Sequence, residues 1–290
     1  MRLAYYPGCS AQSTCRELDA STRCVAAKLG LDLVGLESPT CTGSREIRAV
    51  NRELFLALNA RLLAQAEALG LPLMTVCNTC TLNLLDTEAA LREEPETRAR
   101  VDAALDALGL HYRGEAEITH FLWVLMDKVG EERLRQAIVR PLTGLRVAAF
   151  YGCHLVRPGK HYGHVDSRNA RSIERLAALL GCEPIDYTGR TECCGFHTMA
   201  HDERVAIKLS GMHLHSAKAN GAAAVVTPCP LCHTVLDTLQ PAMEAATRKR
   251  LGLPILHLSQ LLGLALGMSA DELQLDRHMV KADRLGPLRP

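Results

Sequence analysis

The sequence predicts an α/β protein made of two tandem copies of one unit. Each unit is a small, mainly parallel sheet with flanking helices and a cysteine site at the C-terminal ends of its strands. Three observations lead there. Short apolar segments alternate with longer amphipathic ones, which is the pattern of parallel sheets. The chain also matches itself when shifted. By 144 residues, Arg2, Ala4, Gly8 and Cys9 fall on Arg146, Ala148, Gly152 and Cys153; by 152, Cys41, Gly43, Thr75, Cys77 and Cys80 fall on Cys193, Gly195, Thr227, Cys229 and Cys232. Finally, two expected strands in each copy end on cysteines, and sites in parallel sheets collect at the carboxyl ends of strands.

The elements follow in the same order in both copies. A strand, Arg2 to Pro7 or Leu145 to Tyr151, delivers the first cysteine. An amphipathic helix follows, Ser13 to Leu29 or Ser167 to Leu180, stopped by Gly30 or Gly181. A second strand runs through Asp32 to Leu36 or Pro184 to Tyr187, and the loop carrying Cys41 or Cys193 comes next. A helix is then expected over Ser44 to Leu69, with Ile47, Val50, Leu54, Leu58 and Leu62 on its apolar face, and over Asp202 to Asn220 in the second copy. A third strand, Leu73 to Val76 or Ala223 to Thr227, ends on CxxC, from which a further helix leaves. Glu88 to Leu108 reads as a charged helical region interrupted at Pro95. Gly114 to Asp127 resembles Pro254 to Gly263, a closing strand and helix. The eight-residue difference between the two shifts is an insertion in the second copy, Arg157 to His164, rich in loop formers. The copies divide as 1–143 and 144–268. A polar tail over 269–290 is either a frayed terminus or a partner-binding arm.

The net charge of +1 gives no electrostatic case for nucleic acid or an anionic membrane, and 4% aromatic residues offer little for base stacking. The longest apolar run, Leu258 to Met268, is too short to span a bilayer. The first residues read as a strand and not as an export signal, so a cytoplasmic location is expected. There, disulfides are disfavoured, and twelve cysteines point to metal or redox chemistry.

The second copy carries the fuller cysteine set: Cys153, then Cys193-Cys194-Gly195, then Cys229-Pro230-Leu231-Cys232. Adjacent cysteines lie about 3.8 Å apart at Cα, too close for an ordinary disulfide, but their thiolates can face one metal cluster. Soft thiolates gathered from several strand ends suit an iron–sulfur cluster. Zinc is the competitor, although five cysteines exceed the four ligands tetrahedral zinc takes. In the first copy Thr42 stands where the second has Cys194, leaving Cys9, Cys41, Cys77 and Cys80. Four thiolates are the usual complement of a cubane [4Fe–4S] cluster; the other reading is a degenerate site that holds none. Cys24 and Cys182 read as small buried hydrophobes, whereas Cys15 lies close enough in sequence to approach the first site.

These motifs resemble the heterodisulfide reductase B-type proteins and their relatives, which carry two copies of the CCG domain. The resemblance spans essentially the whole chain and rests on Gly8-Cys9, Cys41-Thr42-Gly43, Cys77-Asn78-Thr79-Cys80, Gly152-Cys153, Cys193-Cys194-Gly195 and Cys229-Pro230-Leu231-Cys232. It implies that Cys153, Cys193, Cys194, Cys229 and Cys232 hold a noncubane [4Fe–4S] cluster at which disulfide or thiol chemistry takes place. The departure at Thr42 implies a conventional cluster in the first copy, acting as a relay, and inclines the resemblance towards the heterodisulfide-reductase-like complexes of bacterial sulfur oxidation. The implied partners are iron–sulfur and flavin subunits of such a complex, because the sequence has no nucleotide-binding fingerprint of its own. The implied substrate is a disulfide or dithiol, free or protein-bound.

Histidines crowd the second copy. None precedes residue 111, but eight lie between 154 and 233: His154, His161, His164, His197, His201, His213, His215 and His233. Thiol–disulfide redox chemistry moves protons, and imidazole can exchange them near neutral pH. His154, beside Cys153, is the first candidate for that role and His197 the second. Arg157 and Lys160 in the insertion could meet an anionic substrate. The leading function is therefore a catalytic iron–sulfur subunit of an electron-transfer complex. The alternatives are a non-catalytic electron-transfer or quinone-linked subunit of a dehydrogenase, and a zinc-stabilised interaction module.

Overall fold

The structure is a computed structural model that describes residues 1–159, 170–282 and 285. It contains two four-stranded sheets of the same topology. In the first, β1 (Arg2–Tyr6), β2 (Asp32–Gly35), β3 (Leu73–Thr75) and β4 (Ile118–His120) lie in the order β2-β1-β3-β4, all parallel. In the second, β5 (Arg146–Ala149), β6 (Glu183–Ile185), β7 (Ala224–Thr227) and β8 (Ile255–His257) lie in the order β6-β5-β7-β8, again all parallel. The registers correspond: Thr75 pairs with His120 in one sheet and Thr227 with His257 in the other. The α/β repeat expected from the sequence is therefore the fold.

The central strands are apolar because helices cover both faces. Leu3 to Tyr6, Leu73 to Thr75 and Ala224 to Thr227 are all buried, as residues of enclosed parallel strands must be. The helices after β1 and β5 end alike. Leu31 N–H donates to Ala26 O and Gly30 N–H to Ala27 O, while Cys182 N–H donates to Ala177 O and Gly181 N–H to Ala178 O, the paired bonds of a Schellman stop. The copies share a core, with helix Leu258–Ala265 packing on helix Arg16–Lys28 and Ser21 Oγ 2.7 Å from Ser259 Oγ.

Two expectations change. The helix expected over Ser44 to Leu69 is two helices, Glu46–Val50 and Arg52–Leu69. Asn51 leaves the helical conformation (φ −146°, ψ 94°) and its side chain accepts from Leu54 N–H at 2.9 Å, which starts a new helix in a new phase. The buried face then runs through Phe55, Leu56, Asn59, Leu62 and Leu63, and Val50 and Leu54 are exposed. The tail, over its described residues, is neither frayed nor free: Leu273, Leu275, His278, Ala282 and Leu285 are buried. Asp237 accepts Met279 N–H at 2.6 Å and Val280 N–H at 3.1 Å, tying the tail down. Lys160, His161 and His164 lie outside the described residues.

Candidate metal centre

The strand order fixes where chemistry can collect. β1 and β3 are neighbours whose partners lie on opposite sides, as are β5 and β7, so each pair forms a switch point with a crevice beyond its carboxyl ends. Cys9 follows β1 and Cys77 follows β3, just as Cys153 follows β5 and Cys229 follows β7. Cys77 and Cys229 cap helices Asn78–Glu93 and Pro230–Thr238 with nearly identical backbones (φ −134°, ψ 121° and φ −133°, ψ 125°). Cys80 and Cys232 then sit in the first helical turn. The glycine before each first cysteine is required. Gly8 and Gly152 have φ of +82° and +67°, and a Cβ at Gly152 would lie 2.8 Å from Cys232 Sγ.

In the first site Cys9 Sγ lies 3.3 Å from Cys41 Sγ, and Gly43 N–H donates to Cys41 Sγ at 3.4 Å. The Cys41 contact pulls the Cys9 thiol down to about 6. Thr42 is buried and its hydroxyl donates to Cys80 Sγ at 3.5 Å. Asn83 Nδ2 donates to that hydroxyl at 3.2 Å, and Asn59 Nδ2 to Thr42 O at 2.9 Å. Thr42 therefore takes the place that the repeat assigns to a cysteine, but it is occupied as a hydrogen-bonding group. The four thiols border a cleft of about 230 Å³. Four soft donors around such a cleft fit a four-iron cluster.

The second site repeats this plan with thiols throughout. Cys153 contacts Cys193, Cys194 contacts Cys232 where Thr42 contacts Cys80, and Gly195 N–H donates to Cys193 Sγ at 3.3 Å. The Cys153 contact lowers the Cys193 thiol to about 5. The five thiols are drawn together around a residual cavity of about 20 Å³. Their number and softness fit an iron–sulfur group better than tetrahedral zinc.

His154 and His197 both border this site, their ring centroids 5.3 Å apart. His154 Nδ1 is 2.9 Å from Thr79 Oγ1, and His197 Nδ1 is 3.1 Å from Glu46 Oε1. Burial, then the neighbouring His197, holds His154 down to about 4, a neutral imidazole. Among the other described histidines of the second copy, only His213 reaches this site, and it does so at the backbone. His213 Nε2 faces Cys193 O at 3.0 Å, His215 Nε2 faces Thr247 Oγ1, and His201 is exposed. His233, although next to Cys232, turns away to Ile255 O and His278. Arg157 lies against Thr191 O and Glu192.

The two sites interlock. The Cys77 thiol is pushed up first by its contact with Cys229 across the repeats. Asn78, from the first CxxC, borders the second site; Pro230, from the second CxxC, borders the first; Thr79, Leu231 and Phe196 border both. Asn78 Nδ2 donates to Tyr151 O at 2.6 Å, fixing this exchange.

Residues 3–85 and 147–237 match the cysteine-rich domain, CCG, over more than half of the chain. The chain belongs to the CCG family. The two matched CCG segments are the two units just described. Among CCG relatives, the chain is 37% identical to the 8-methylmenaquinol:fumarate reductase membrane anchor subunit of Wolinella succinogenes, over 98% of each chain. It is 31% identical to the B component of the ferredoxin/F420H2-dependent CoB-CoM heterodisulfide reductase of Methanosarcina acetivorans, covering 97% of this chain and 94% of that one. A crystal structure of a hypothetical protein from Helicobacter pylori shares the fold, with a TM-score of 0.77 at 18% identity. It matches 97% of this chain, which spans about half of that protein (52%). Relatives named as oxidoreductase subunits and a doubled cysteine-rich domain mark an iron–sulfur member of an electron-transfer complex.

The CCG pattern does not reveal Asn83, Thr79 and Glu46. Asn83 carried a signal, because the shift of 152 sets it on the apolar Val235 just where Thr42 is set on Cys194. Thr79 and Glu46 reach the second site only through the docking of the copies. Cys15 is not at the first site; its Sγ faces Thr234 Oγ1 at 3.3 Å, because the helix that starts after it packs against the other repeat. Cys182 is buried and Cys24 half-buried against the core.

Proposed function

We propose that this chain is the subunit of a heterodisulfide-reductase-like complex in which disulfide reduction or thiol oxidation takes place at the second CCG site. Cys153, Cys193, Cys194, Cys229 and Cys232 would hold a noncubane [4Fe–4S] cluster there, and Cys9, Cys41, Cys77 and Cys80 a conventional [4Fe–4S] cluster as a relay. When bound, such groups supply one-electron redox steps beside a sulfur substrate. The observation that carries this reading is the fifth thiol. Cys194 contacts Cys232 in the one site that is also bordered by two histidines, whereas its counterpart Thr42 is fixed by Asn83. His154, neutral and hydrogen-bonded to Thr79, is placed to hold or release a proton at the rim, with His197 behind it held by Glu46. Flavin and iron–sulfur partners and a cytoplasmic location complete the proposal.

A second reading is favoured by one observation: the relative at 37% identity is named as a membrane anchor subunit of a quinol-linked enzyme. Among the described residues no helix is long and apolar enough to cross a membrane. In this reading the chain passes electrons between a quinone pool and a dehydrogenase, and no substrate sulfur meets the second site.

The test is electron paramagnetic resonance on anaerobically purified protein, with iron and sulfide counted. About eight irons per chain are expected for two four-iron clusters. A low-molecular-weight disulfide or dithiol should perturb the signal of the second site. Stoichiometric zinc without sulfide would overturn the iron–sulfur assignment. A response to a menaquinol analogue with none to thiols or disulfides would establish the second reading.

A further inference from the structure

Beside the two cysteine sites but separate from them, a further set of metal-type donors meets in the seam between the repeats. Cys15 and Glu17 come from the first repeat, at the start of helix Arg16–Lys28. His233 comes from helix Pro230–Thr238 and His257 from the end of β8. One donor atom from each of the four lies within 4.8 Å of all the others. The four residues are buried, at 3%, 4%, 4% and 0% exposure.

We propose that Cys15, Glu17, His233 and His257 form a structural zinc site that staples the two repeats together next to their cysteine sites. The donor set is one thiol, one carboxylate and two imidazoles, the borderline-soft mixture that suits zinc. A single thiol rules out an iron–sulfur cluster. A tetrahedral zinc site has ligand–ligand edges of about 3.4 Å, so donors already within 4.8 Å must draw in, and the His233 and His257 rings, stacked at 3.9 Å, must turn to point at one ion. All four positions come from protein and none is open to solvent, which marks a structural site and not a catalytic one.

Three of the four donors have a neighbour that holds them, as metal sites require. Arg277 Nε meets Glu17 Oε2 at 3.1 Å, leaving Glu17 Oε1 facing His257 Nε2 at 3.2 Å. His278 Nδ1 meets His233 Nε2 at 3.0 Å, and Gln260 Nε2 in turn meets His278 at 2.8 Å. Thr234 Oγ1 lies 3.3 Å from Cys15 Sγ. The matched place in the first copy has no such set, since Thr81 answers to His233 and His120 to His257. The ion would therefore join three segments, the stretch just past Cys9, the helix that carries Cys232 and the end of β8, with the tail behind them through Arg277 and His278.

The test is metal analysis of the anaerobically purified, cluster-containing chain after dialysis against zinc and then buffer. One zinc per chain is expected beyond the iron, and X-ray absorption at the zinc edge should show one sulfur and three nitrogen or oxygen neighbours. Cys15→Ser and His257→Gln should each lose that zinc while iron and sulfide stay unchanged. Removing zinc from the wild type should lower its melting temperature to that of the variants. The absorption measurement needs only the wild type, so it decides even where a variant does not fold. No retained zinc, an all-sulfur shell from zinc in a cysteine site, or zinc retained in both variants would each overturn the proposal.

Discussion

The two cysteine sites have one backbone plan, and four of the side chains that differ between them set their character. Where the second copy has Cys194, His154, His197 and Val235, the first has Thr42, Ser10, Arg45 and Asn83. Every change has the same sense. The first site trades a thiol for a hydroxyl locked by Asn83, a titratable imidazole for a serine, and another for a guanidinium paired with Asp86 at 3.3 Å. An arginine is a fixed cation that only donates, whereas an imidazole can give or accept a proton. One copy is thus fixed in charge and donor number, and the other keeps groups that can take up a proton or a ligand. In the function proposed above, the first site would pass electrons and the second would meet the substrate.

The largest expected effect comes from removing that asymmetry at its source. Cys194→Ser should abolish turnover of disulfide or thiol and make the spectrum of the second site resemble the first. Thr42→Ser, which keeps the hydroxyl beside Cys80, should leave activity within about threefold of wild type, the scale of one neutral hydrogen bond partly kept. Thr42→Cys should move the first site's spectrum towards the second. If Thr42→Cys leaves that spectrum unchanged, the correspondence of Thr42 with Cys194 has no bearing on metal binding.

A structural version of the comparison uses the glycines. At Gly152 a Cβ would meet Cys232 Sγ at 2.8 Å, and at Gly8 it would meet Cys80 Sγ at 3.4 Å, both at positive φ. Gly152→Ala should therefore displace Cys232 and lose the second site's iron, with a stability cost of about 2 kcal/mol. Gly8→Ala should incur the backbone strain alone, about 1 kcal/mol, and keep the first site's iron. Iron per chain and the denaturation midpoint measure both; equal losses in the two variants would mean that contact with the sulfur does not matter.

What could be read from the sequence and what could not divides along the same line. The repeat, the strand ends and the cysteines were legible because each is local: Gly8-Cys9 and Gly152-Cys153 carry their own backbone requirement. The break at Asn51 was not, because the periodic run from Ile47 to Leu62 continues across it and only the capping bond to Leu54 shows the change of phase. The interlocking of Asn78-Thr79 with Pro230-Leu231 was beyond reach too, because it depends on which faces of the two copies meet. The same docking carries Cys15 and His233 away from the cysteines beside them in sequence.

A smaller effect is expected at the histidine that has no counterpart in the first copy. His154→Ala should keep both metal groups and slow turnover about a hundredfold, the usual contribution of one positioned proton donor or acceptor. Ser10→Ala, the matched change in the first copy, should be nearly silent. If the two variants are equally active, the histidines around the second site are packing, and the asymmetry lies in the thiols alone.

The smallest effect tests the strut between the copies. Glu46 stands at the edge of the first cleft and reaches His197 at 3.1 Å, with Arg45 N–H donating to its other oxygen at 3.0 Å. Burial opposes its charge, but the hydrogen bonds from Ser44 and His197 outweigh it and hold the carboxyl down to about 2, against an ordinary value of 4.5. A depressed carboxylate stabilises the fold above its unfolded pKa, and that stabilisation is lost as pH falls through the folded one. The window is therefore pH 4.5 down to about 2, and between pH 5 and 8 Glu46 stays charged. Its side chain is half exposed, so solvent screening keeps the contribution under about 1 kcal/mol. Glu46→Gln should accordingly lower the denaturation midpoint slightly at pH 7. A midpoint equal to that of the wild type would show that the contact with His197 does not support the fold.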